Sequence, residues 1–349
     1  MGQDSFGFGI NASGMVSGRF NDHFLGGNVH AFVTDIGGQM HDLGTLGGND
    51  SSGLGINSKG QVTGYSSINT DGNSPVHAFV TSIDRQMHDL GTLGGKDSHG
   101  TGINSTGQVT GFSNTPSGSE HAFITDPSGQ MHDLGGLGTT NSVGYGINDK
   151  GQVTGSANFV GSGGESHAFV TDTSGHMTDL SALNGVGHSA GLGINSNGQV
   201  TGYHTVSATY STDQAFMTDS FGHMPYLSGV GVLNSYGYGI NSSGQVTGYF
   251  GSDKGSSIAF VSSGTTILDL NNLLSPNHSG WYLAAGFGIN DAGQITGVGY
   301  INNQTHAFLL SPVGVPAVPE PEEYLMLLVG GAMLAFQVRR KQKLIINTL

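Results

Sequence analysis

The fold is decided by the stretch GINSKGQVTG at residues 55–64, because this phrase returns along almost the whole chain. HAFVT follows it at 77–81 and QMHDLGTLGG at 86–95, and the three phrases keep this order. The isoleucine of the first phrase marks seven units, at Ile10, Ile56, Ile103, Ile147, Ile194, Ile240 and Ile289. Successive isoleucines are 44 to 49 residues apart, a mean period of about 46. A repeat of this length is one supersecondary module that is stabilised by stacking on its neighbours.

The length of the repeat favours a β-propeller. Ankyrin and tetratricopeptide repeats are shorter, at about 33 and 34 residues, whereas propeller blades have about 40 to 50. Glycine interrupts the short segments of every unit, and these interruptions deny an amphipathic helix the turns it needs. We therefore expect the segments to be strands.

Each unit contains two hairpins. In the first, residues 57–60 link Ile56 to Gln61-Val62-Thr63, and the Asn that recurs after Gly-Ile is a turn residue whose side chain bonds to the backbone. In the second, residues 125–130 link the segments 121–124 and 131–134. The sequence thus predicts an all-β fold at residues 1–311, a β-propeller of about seven four-stranded antiparallel blades.

Composition and charge exclude several classes of protein. The chain has 349 residues with 62 glycines and no cysteine, so disulfides and thiolate metal sites are excluded. Its formal net charge is −14, and an acidic body repels nucleic acid phosphates and anionic lipid headgroups. We expect no nucleic acid partner.

Both ends of the repeat array are irregular. Residues 2–9 align with 48–55, but the LGTLG segment that should precede them is absent, and so is a secretory signal peptide. We expect the true start to lie upstream; the alternative is a short first unit. The last unit contains the single tryptophan, Trp281, and has no MHDL segment after 308–310. Its blade is expected to lack a fourth strand, or to receive one from an upstream segment.

The link between the second and third strands varies most between units, from 9 to 13 residues between the end of GQVTG and the HAF position. In an up-and-down blade these links share one face of the ring with the blade-to-blade connections; we call this the loop face. The two hairpin turns share the opposite face, the hairpin face. Variation collects on the binding face of repeat proteins, so we predict that a partner docks on the loop face.

The repeat stops before a linker at 312–318. Pro319-Glu320-Pro321 follows, then the apolar run 324–338, then a basic cluster at 339–343 and a short tail at 344–349. Acidic residues before the run and basic residues after it suit a transmembrane helix with its C-terminus in the cytoplasm. The alternative is a soluble helix packed on the blades, since 15 residues are fewer than the roughly 20 of a typical span.

This tail resembles the PEP-CTERM sorting signal, and the units resemble the HAF-family probable extracellular repeat. The first resemblance implies that an exosortase-type enzyme recognises Pro319, Glu320 and Pro321, with Arg339 and Arg340 as the cytoplasmic stop. It also implies export to the envelope of a Gram-negative bacterium, with the cell surface or the extracellular space as the final location.

Two series of side chains could suggest a metal site. The first is the histidine before Ala-Phe, at His30, His77, His121, His167 and His306. The second is the aspartate before the leucine of the fourth strand, at Asp42, Asp89, Asp133, Asp179 and Asp269. Gln214, Ile258 and Tyr226 interrupt these series, and equivalent positions in separate blades lie far apart. We interpret both series as structural, the aspartates bonding to turn amides, and predict neither metal nor cofactor.

No residue set in the sequence predicts a catalytic site. The hypothesis we favour is a non-enzymatic surface or matrix protein whose rigid ring serves adhesion or binds envelope polysaccharide. The alternative is a propeller-type enzyme, a lyase or glycosidase, with a site in the central channel. Such an enzyme needs acids, histidines or tyrosines that break the repeat and converge; the candidates are Glu120, Glu165, His204 and Tyr210.

Overall fold

The protein is a seven-bladed β-propeller. The computed structural model describes residues 4–22, 27–71, 73–138, 141–159, 165–181, 187–206, 212–229, 232–252, 255–275, 280–313 and 343–348. In this part of the chain, seven antiparallel sheets each pair their strands in sequence order. The sequence prediction of blades with a period of about 46 residues is confirmed.

Each blade begins at the channel with a strand that ends in the GIN phrase. The innermost strands are β1 (Ser5–Ile10), β5 (Ser51–Ile56), β9 (Ser98–Ile103), β13 (Ser142–Ile147), β17 (Ser189–Ile194), β20 (Ser235–Ile240) and β24 (Tyr282–Ile289). The second strands are β2 (Val16–Asp22), β6 (Val62–Ser67), β10 (Val109–Asn114), β14 (Val153–Asn158), β18 (Val200–Thr205), β21 (Val246–Gly251) and β25 (Ile295–Ile301).

The HAF phrase forms the third strand of each blade. The third strands are β3 (Asn28–Thr34), β7 (Val76–Thr81), β11 (Glu120–Thr125), β15 (Ser166–Thr171), β19 (Asp213–Met217), β22 (Ser257–Ser263) and β26 (Gln304–Val313). The outer strands are β4 (Met40–Asp42), β8 (Met87–Asp89), β12 (Met131–Gly135), β16 (Met177–Asp179), β23 (Thr266–Asp269) and β27 (Lys343–Thr348). A single-turn 3-10 helix, Leu270–Leu273, follows β23.

The fifth blade departs from the four-stranded prediction, because its sheet has only β17, β18 and β19. Residues 224–227 run along the outer edge, with a single bridge between Phe216 and Tyr226. Leu227 N–H also donates to the Ala215 carbonyl over 2.6 Å. Pro225 has no N–H to donate. Residues 224–227 therefore pair with β19 only in part and do not form a regular fourth strand.

The seventh blade differs from the expectation that its fourth strand is missing or comes from upstream. Lys343–Thr348 pairs antiparallel with β26 from Val313↔Lys343 to Phe308↔Thr348. Lys343, which the sequence analysis assigned to the basic cluster, is the first residue of β27. Residues 344–348, predicted to be a short tail, form the rest of this strand. Residues 344–346 are apolar and include two β-branched isoleucines, a composition that favours a strand.

The phenylalanine of HAF forms the core of every blade. All seven are fully buried, at Phe32, Phe79, Phe123, Phe169, Phe216, Phe260 and Phe308. Six of the rings pack on the glycine that ends the GQVTG phrase of their own blade, or its variants GMVSG and GQITG, and Phe216 lies opposite Gly202 in the strand register. A Cβ on Gly111 would lie 1.8 Å from the His99 carbonyl oxygen and 3.0 Å from the Phe123 ring, so only glycine fits at this position.

Hydrogen bonds tie each blade to the next. Between the sixth and seventh blades, the Tyr282 hydroxyl donates to the Ser257 carbonyl over 2.8 Å. At the other six junctions, the hydroxyl of the serine that opens an inner strand accepts from the HAF-position alanine of the preceding blade, as in Ala31 N to Ser51 Oγ over 2.8 Å. The same bond joins the last blade to the first, from Ala307 N to Ser5 Oγ over 3.0 Å. The propeller is therefore a closed ring.

The predicted transmembrane helix at 324–338 lies outside the described residues. Within the described residues, no helix has the length and apolar character that a membrane crossing requires.

Candidate binding site in the channel

A ring of seven asparagines surrounds the channel at the hairpin face. Each is buried, and its Nδ2 donates to the main-chain oxygen of the equivalent asparagine in the next unit over 3.0 to 3.2 Å. The ring contains Asn11, Asn57, Asn104, Asn148, Asn195, Asn241 and Asn290. A cavity of about 230 Å³ lies at this end of the channel.

The same asparagines hold their own turns. Asn57 Oδ1 accepts from the Lys59 and Gln61 amides, each over 3.0 Å, as an Asx turn requires. The prediction that this Asn is a turn residue is confirmed. The sequence reasoning missed its second bond, which joins neighbouring units.

Above this ring, the strands present side chains that differ between units. The residue after the GQVTG glycine shows this most clearly: Arg19, Tyr65, Phe112, Ser156, Tyr203, Tyr249 and Val298. The residue between the two glycines of GxGIN also varies: Phe8, Leu54, Thr101, Tyr145, Leu192, Tyr238 and Phe287. These positions distinguish one unit from another, because the phrases around them recur in every unit.

Tyrosines converge on the fifth and sixth blades. The Tyr203 and Tyr236 ring centroids lie 5.0 Å apart in a T-shaped contact, and Tyr236 stacks on Tyr249 at 5.0 Å. Tyr249 in turn stacks on Tyr238 at 6.0 Å. We call these four residues the tyrosine cluster.

Asp213 anchors the cluster. The Tyr236 hydroxyl donates to Asp213 Oδ2 over 2.6 Å, and Thr205 Oγ1 donates to Oδ1 over 2.7 Å. Burial raises the pKa of Tyr236, and the hydrogen bond to the Asp213 carboxylate raises it further. Burial also raises the pKa of Tyr238, with a smaller contribution from Tyr249. The phenols stay protonated at neutral pH and remain hydrogen-bond donors.

The aromatic surface continues into the seventh and first blades. The ring centroids of Tyr238 and Phe287 lie 5.2 Å apart, and those of Phe287 and Phe8 lie 5.4 Å apart. Phe8 stacks on Phe6 at 6.3 Å, and the Arg19 guanidinium lies 4.9 Å from the Phe6 centroid. These rings are only partly buried, so the inner strands and the second strands beside them offer flat apolar faces next to phenol groups.

Four of the five histidines of the first series are paired with the aspartate series, and the fifth, His306, instead contacts the Trp281 ring, with the two ring centroids 6.3 Å apart. His30, His77 and His121 each place Nδ1 2.8 to 2.9 Å from a carboxylate oxygen of Asp42, Asp89 or Asp133, and His167 pairs with Asp179 in the same way. Because each pair belongs to one blade, these histidines do not converge. Where Gln214 replaces the histidine, Tyr226 replaces the aspartate.

The turn role predicted for the aspartates is also observed. Asp42 Oδ1 accepts from the Gly44 amide over 2.7 Å, and Asp269 Oδ1 accepts from the Asn271 amide over 2.8 Å at the 3-10 helix. Within the described ranges, no three His, Asp or Glu side chains are grouped as a metal ion would need. The four paired histidines and their aspartates, together with Asp269, therefore have structural hydrogen bonds within their own blades.

The residues that break the repeat are placed apart from one another. His204 is buried in the fifth blade between the Phe216 and Tyr226 rings. Glu120 approaches Tyr145, whose pKa is raised by burial and, to a smaller extent, by that carboxylate. Glu165 precedes β15. Tyr210 and the sorting-signal residues Pro319, Glu320, Pro321, Arg339 and Arg340 lie outside the described residues.

Sequence reasoning missed the tyrosine cluster and Asp213. It searched for breaks in the loops, whereas the cluster occupies variable positions inside the recurring strands. The signal was present in the sequence, because the position after the recurring glycine of the second strand holds Arg, Tyr, Phe, Ser or Val in different units.

The chain matches no protein family and no curated protein. Among solved structures it is similar to a puromycin hydrolase, with 11% identity, a TM-score of 0.58 and coverage of 88% of this chain and 52% of that chain. A puromycin-hydrolyzing peptidase from Mycobacterium tuberculosis has 10% identity, a TM-score of 0.53 and coverage of 88% and 51%. TolB from Acinetobacter baumannii has 10% identity, a TM-score of 0.50 and coverage of 72% and 61%.

The chain thus spans about half to three fifths of the length of these proteins. At such low identity the similarity shows the propeller fold alone.

Proposed function

We propose that the protein is a non-enzymatic, exported binding propeller of the bacterial cell surface, and that its channel binds envelope polysaccharide from the loop face. The tyrosine cluster is the observation that carries the proposal. Partly exposed aromatic faces suit the apolar faces of sugar rings, and protonated phenols suit sugar hydroxyls. Both kinds of group lie on rigid strands, so little entropy is lost when a ligand binds.

The electrostatics of the cluster favour binding over proton transfer. Asp213 accepts bonds from Thr205 and Tyr236 through separate oxygens, which fixes its orientation. The raised pKa values of Tyr236 and Tyr238 move these groups away from the neutral range in which a general base works best. A propeller-type enzyme acting in the channel is the alternative function.

Binding can be tested by affinity electrophoresis of the full chain through a gel that contains soluble polysaccharide extracted from the envelope of the same cells. We expect the polysaccharide to retard the protein, and Tyr203→Ala and Tyr249→Ala to reduce the retardation. Tyr300→Ala is the matched control, because Tyr300 is 46% exposed and stacks on Tyr282, outside the cluster. Equal migration with and without polysaccharide would refute the proposal, and release of shorter sugars would establish the enzyme instead.

The proposed location rests on the resemblance of the tail to a sorting signal. A tail inserted with Arg339 and Arg340 in the cytoplasm cannot at the same time pair Lys343–Thr348 with β26, so sorting requires β27 to leave the seventh blade. Cells that carry the full gene can be fractionated and compared with cells in which Pro319–Lys343 is deleted. We expect the deletion to change retention of the protein at the envelope. An unchanged distribution would contradict recognition of this tail by an exosortase-type enzyme.

A further inference from the structure

A cleft between the first and second blades opens on the loop face. Its volume is about 500 Å³, and its wall includes Arg19 and Tyr65, with Asn69, Asp71 and Ser74 after β6. Arg19 and Tyr65 occupy the same position of their units as Tyr203 and Tyr249 of the tyrosine cluster. The cleft is therefore a separate part of the same inner surface.

Arg19 is a cation without an anionic partner in the described part of the chain. Its guanidinium carbon lies 4.9 Å from the Phe6 centroid and 5.8 Å from the Phe8 centroid. Its Nε is buried, and no described group accepts a hydrogen bond from it. Burying the Nε–H donor without an acceptor is costly, although the protein has a net charge of −14 that could have supplied one. The geometry leaves the acceptor to be provided by a ligand.

The other polar groups of the cleft limit which anion can bind. Asp50 and Asp71 line the same wall. Asp50 Oδ1 accepts from the Val29 amide over 2.9 Å, so this carboxylate is fixed near Arg19. The charges of Asp50 and Asp71 repel a ligand phosphate with two negative charges more strongly than a ligand carboxylate with one. They also offer acceptors for hydroxyl groups, as does Asn69.

From these observations we infer that the cleft binds a uronic acid unit, with the sugar carboxylate on Arg19, its hydroxyls on Asp71 and Asn69, and its ring against Tyr65. Arginine is suited to this role because its fork of N–H groups matches the geometry of a carboxylate. The inference rests on the proposed polysaccharide binding and names the sugar class for one part of the site.

The test compares two probes that differ only at one carbon. One is a β-linked glucose tetrasaccharide, and the other is the same tetrasaccharide with its terminal unit oxidised to glucuronate. Titration calorimetry of the full chain should show that the glucuronate probe binds about tenfold more tightly or better, as expected for a charge-assisted contact. Arg19→Gln should remove this preference, whereas Arg19→Lys should keep part of it.

Lys96 provides the matched control. It belongs to the loop face, but its Nζ donates to Asn73 Oδ1 over 2.8 Å and it is not part of the cleft wall. Lys96→Gln should therefore leave the preference unchanged. Thermal unfolding of Arg19→Gln checks that the ring is intact, and Asp71→Asn, an exposed change, should strengthen binding of the glucuronate probe by reducing repulsion.

Three results would overturn the inference. If Arg19→Gln retained the preference, or the wild type bound both probes equally, Arg19 would act only as a cation on the Phe6 and Phe8 rings. If a tetrasaccharide carrying phosphate at that carbon bound more tightly than the glucuronate, the site would be one for phosphate. If neither tetrasaccharide bound, the cleft would not be a sugar site, and retardation by envelope polysaccharide would still decide the proposed function separately.

Discussion

Asn290 in the seventh unit donates a hydrogen bond from Nδ2 to the main-chain oxygen of Asn11 in the first unit, over 3.0 Å. The two residues are 279 positions apart in the chain, and six equivalent bonds join the other neighbouring units. In the described residues every blade is built from its own unit, with β27 added to the seventh. No shared strand locks the first blade to the last, so side-chain and lateral contacts must hold the seam.

The asparagine ring should therefore matter most at the seam. Asn290→Ala and Asn195→Ala remove equivalent side chains, and each should lower the free energy of unfolding by about 1–3 kcal/mol, the cost of leaving buried polar groups unpaired. In addition, Asn290→Ala should accelerate amide hydrogen exchange in β1 and β24, because no peptide bond joins these blades directly. Urea unfolding and exchange mass spectrometry measure the two effects.

Asn197→Ala is the control for this prediction. Asn197 lies in the same turn as Asn195, and its Nδ2 donates to the Ser242 carbonyl over 2.9 Å, but the residue is exposed. Its loss should cost less than about 0.5 kcal/mol, as is usual at the surface. Equal effects of Asn195→Ala and Asn197→Ala would show that the ring does not contribute through burial.

Gly111→Ala should be strongly destabilising, by about 3 kcal/mol or more, since the added methyl group must displace either β9 or the Phe123 ring. Gly251→Ala is the matched change at the end of a second strand, where the nearest described atom to a new Cβ is 3.9 Å away. It should be neutral within about 0.5 kcal/mol. Thermal unfolding distinguishes the two, and similar melting temperatures would contradict the packing argument.

Deleting residues 343–349 should leave the outer edge of β26 without its partner. This edge contains Phe308, Leu309 and Leu310, and exposed apolar edges pair with other chains. We expect faster amide exchange in β26 and concentration-dependent self-association in analytical ultracentrifugation. Lys343→Ala, which keeps the strand, is the control; a monomeric deletion variant with protected β26 amides would show that β27 does not stabilise this blade.

The sequence was sufficient for the fold because the repeat supplies the same evidence seven times. One phrase such as GINSKGQVTG is weak evidence for a hairpin, but its spacing from HAFVT and MHDL gives the strand order of a blade. Residues 343–348 do not resemble MHDL, so their place in the seventh blade could not be read from the repeat. The tyrosine cluster was missed for a different reason. Tyr236 and Tyr249 lie inside recurring strands, and only the packing of neighbouring blades in the propeller brings them close to each other and to Asp213.

Stability should decrease as the pH falls below neutrality, partly through His204. Burial lowers the pKa of His204 below its usual value of 6.5, and the nearby charge of Asp213 opposes this only in part. The folded state therefore keeps the imidazole neutral while the unfolded chain binds a proton near pH 6.5. Because the unfolded state then binds more protons, the free energy of unfolding falls as the pH drops from about 6.5 toward 5.

His204→Phe should reduce this loss of stability, since phenylalanine does not titrate and Phe20 and Phe250 occupy the same position in the first and sixth units. Urea midpoints at pH 7 and pH 5 measure the difference for each protein. Ala157→Ser, at the equivalent position of the fourth blade, changes packing without adding a titrating group and should keep the wild-type difference. If His204→Phe lost as much stability between the two pH values as the wild type, the buried imidazole would not be the group that responds.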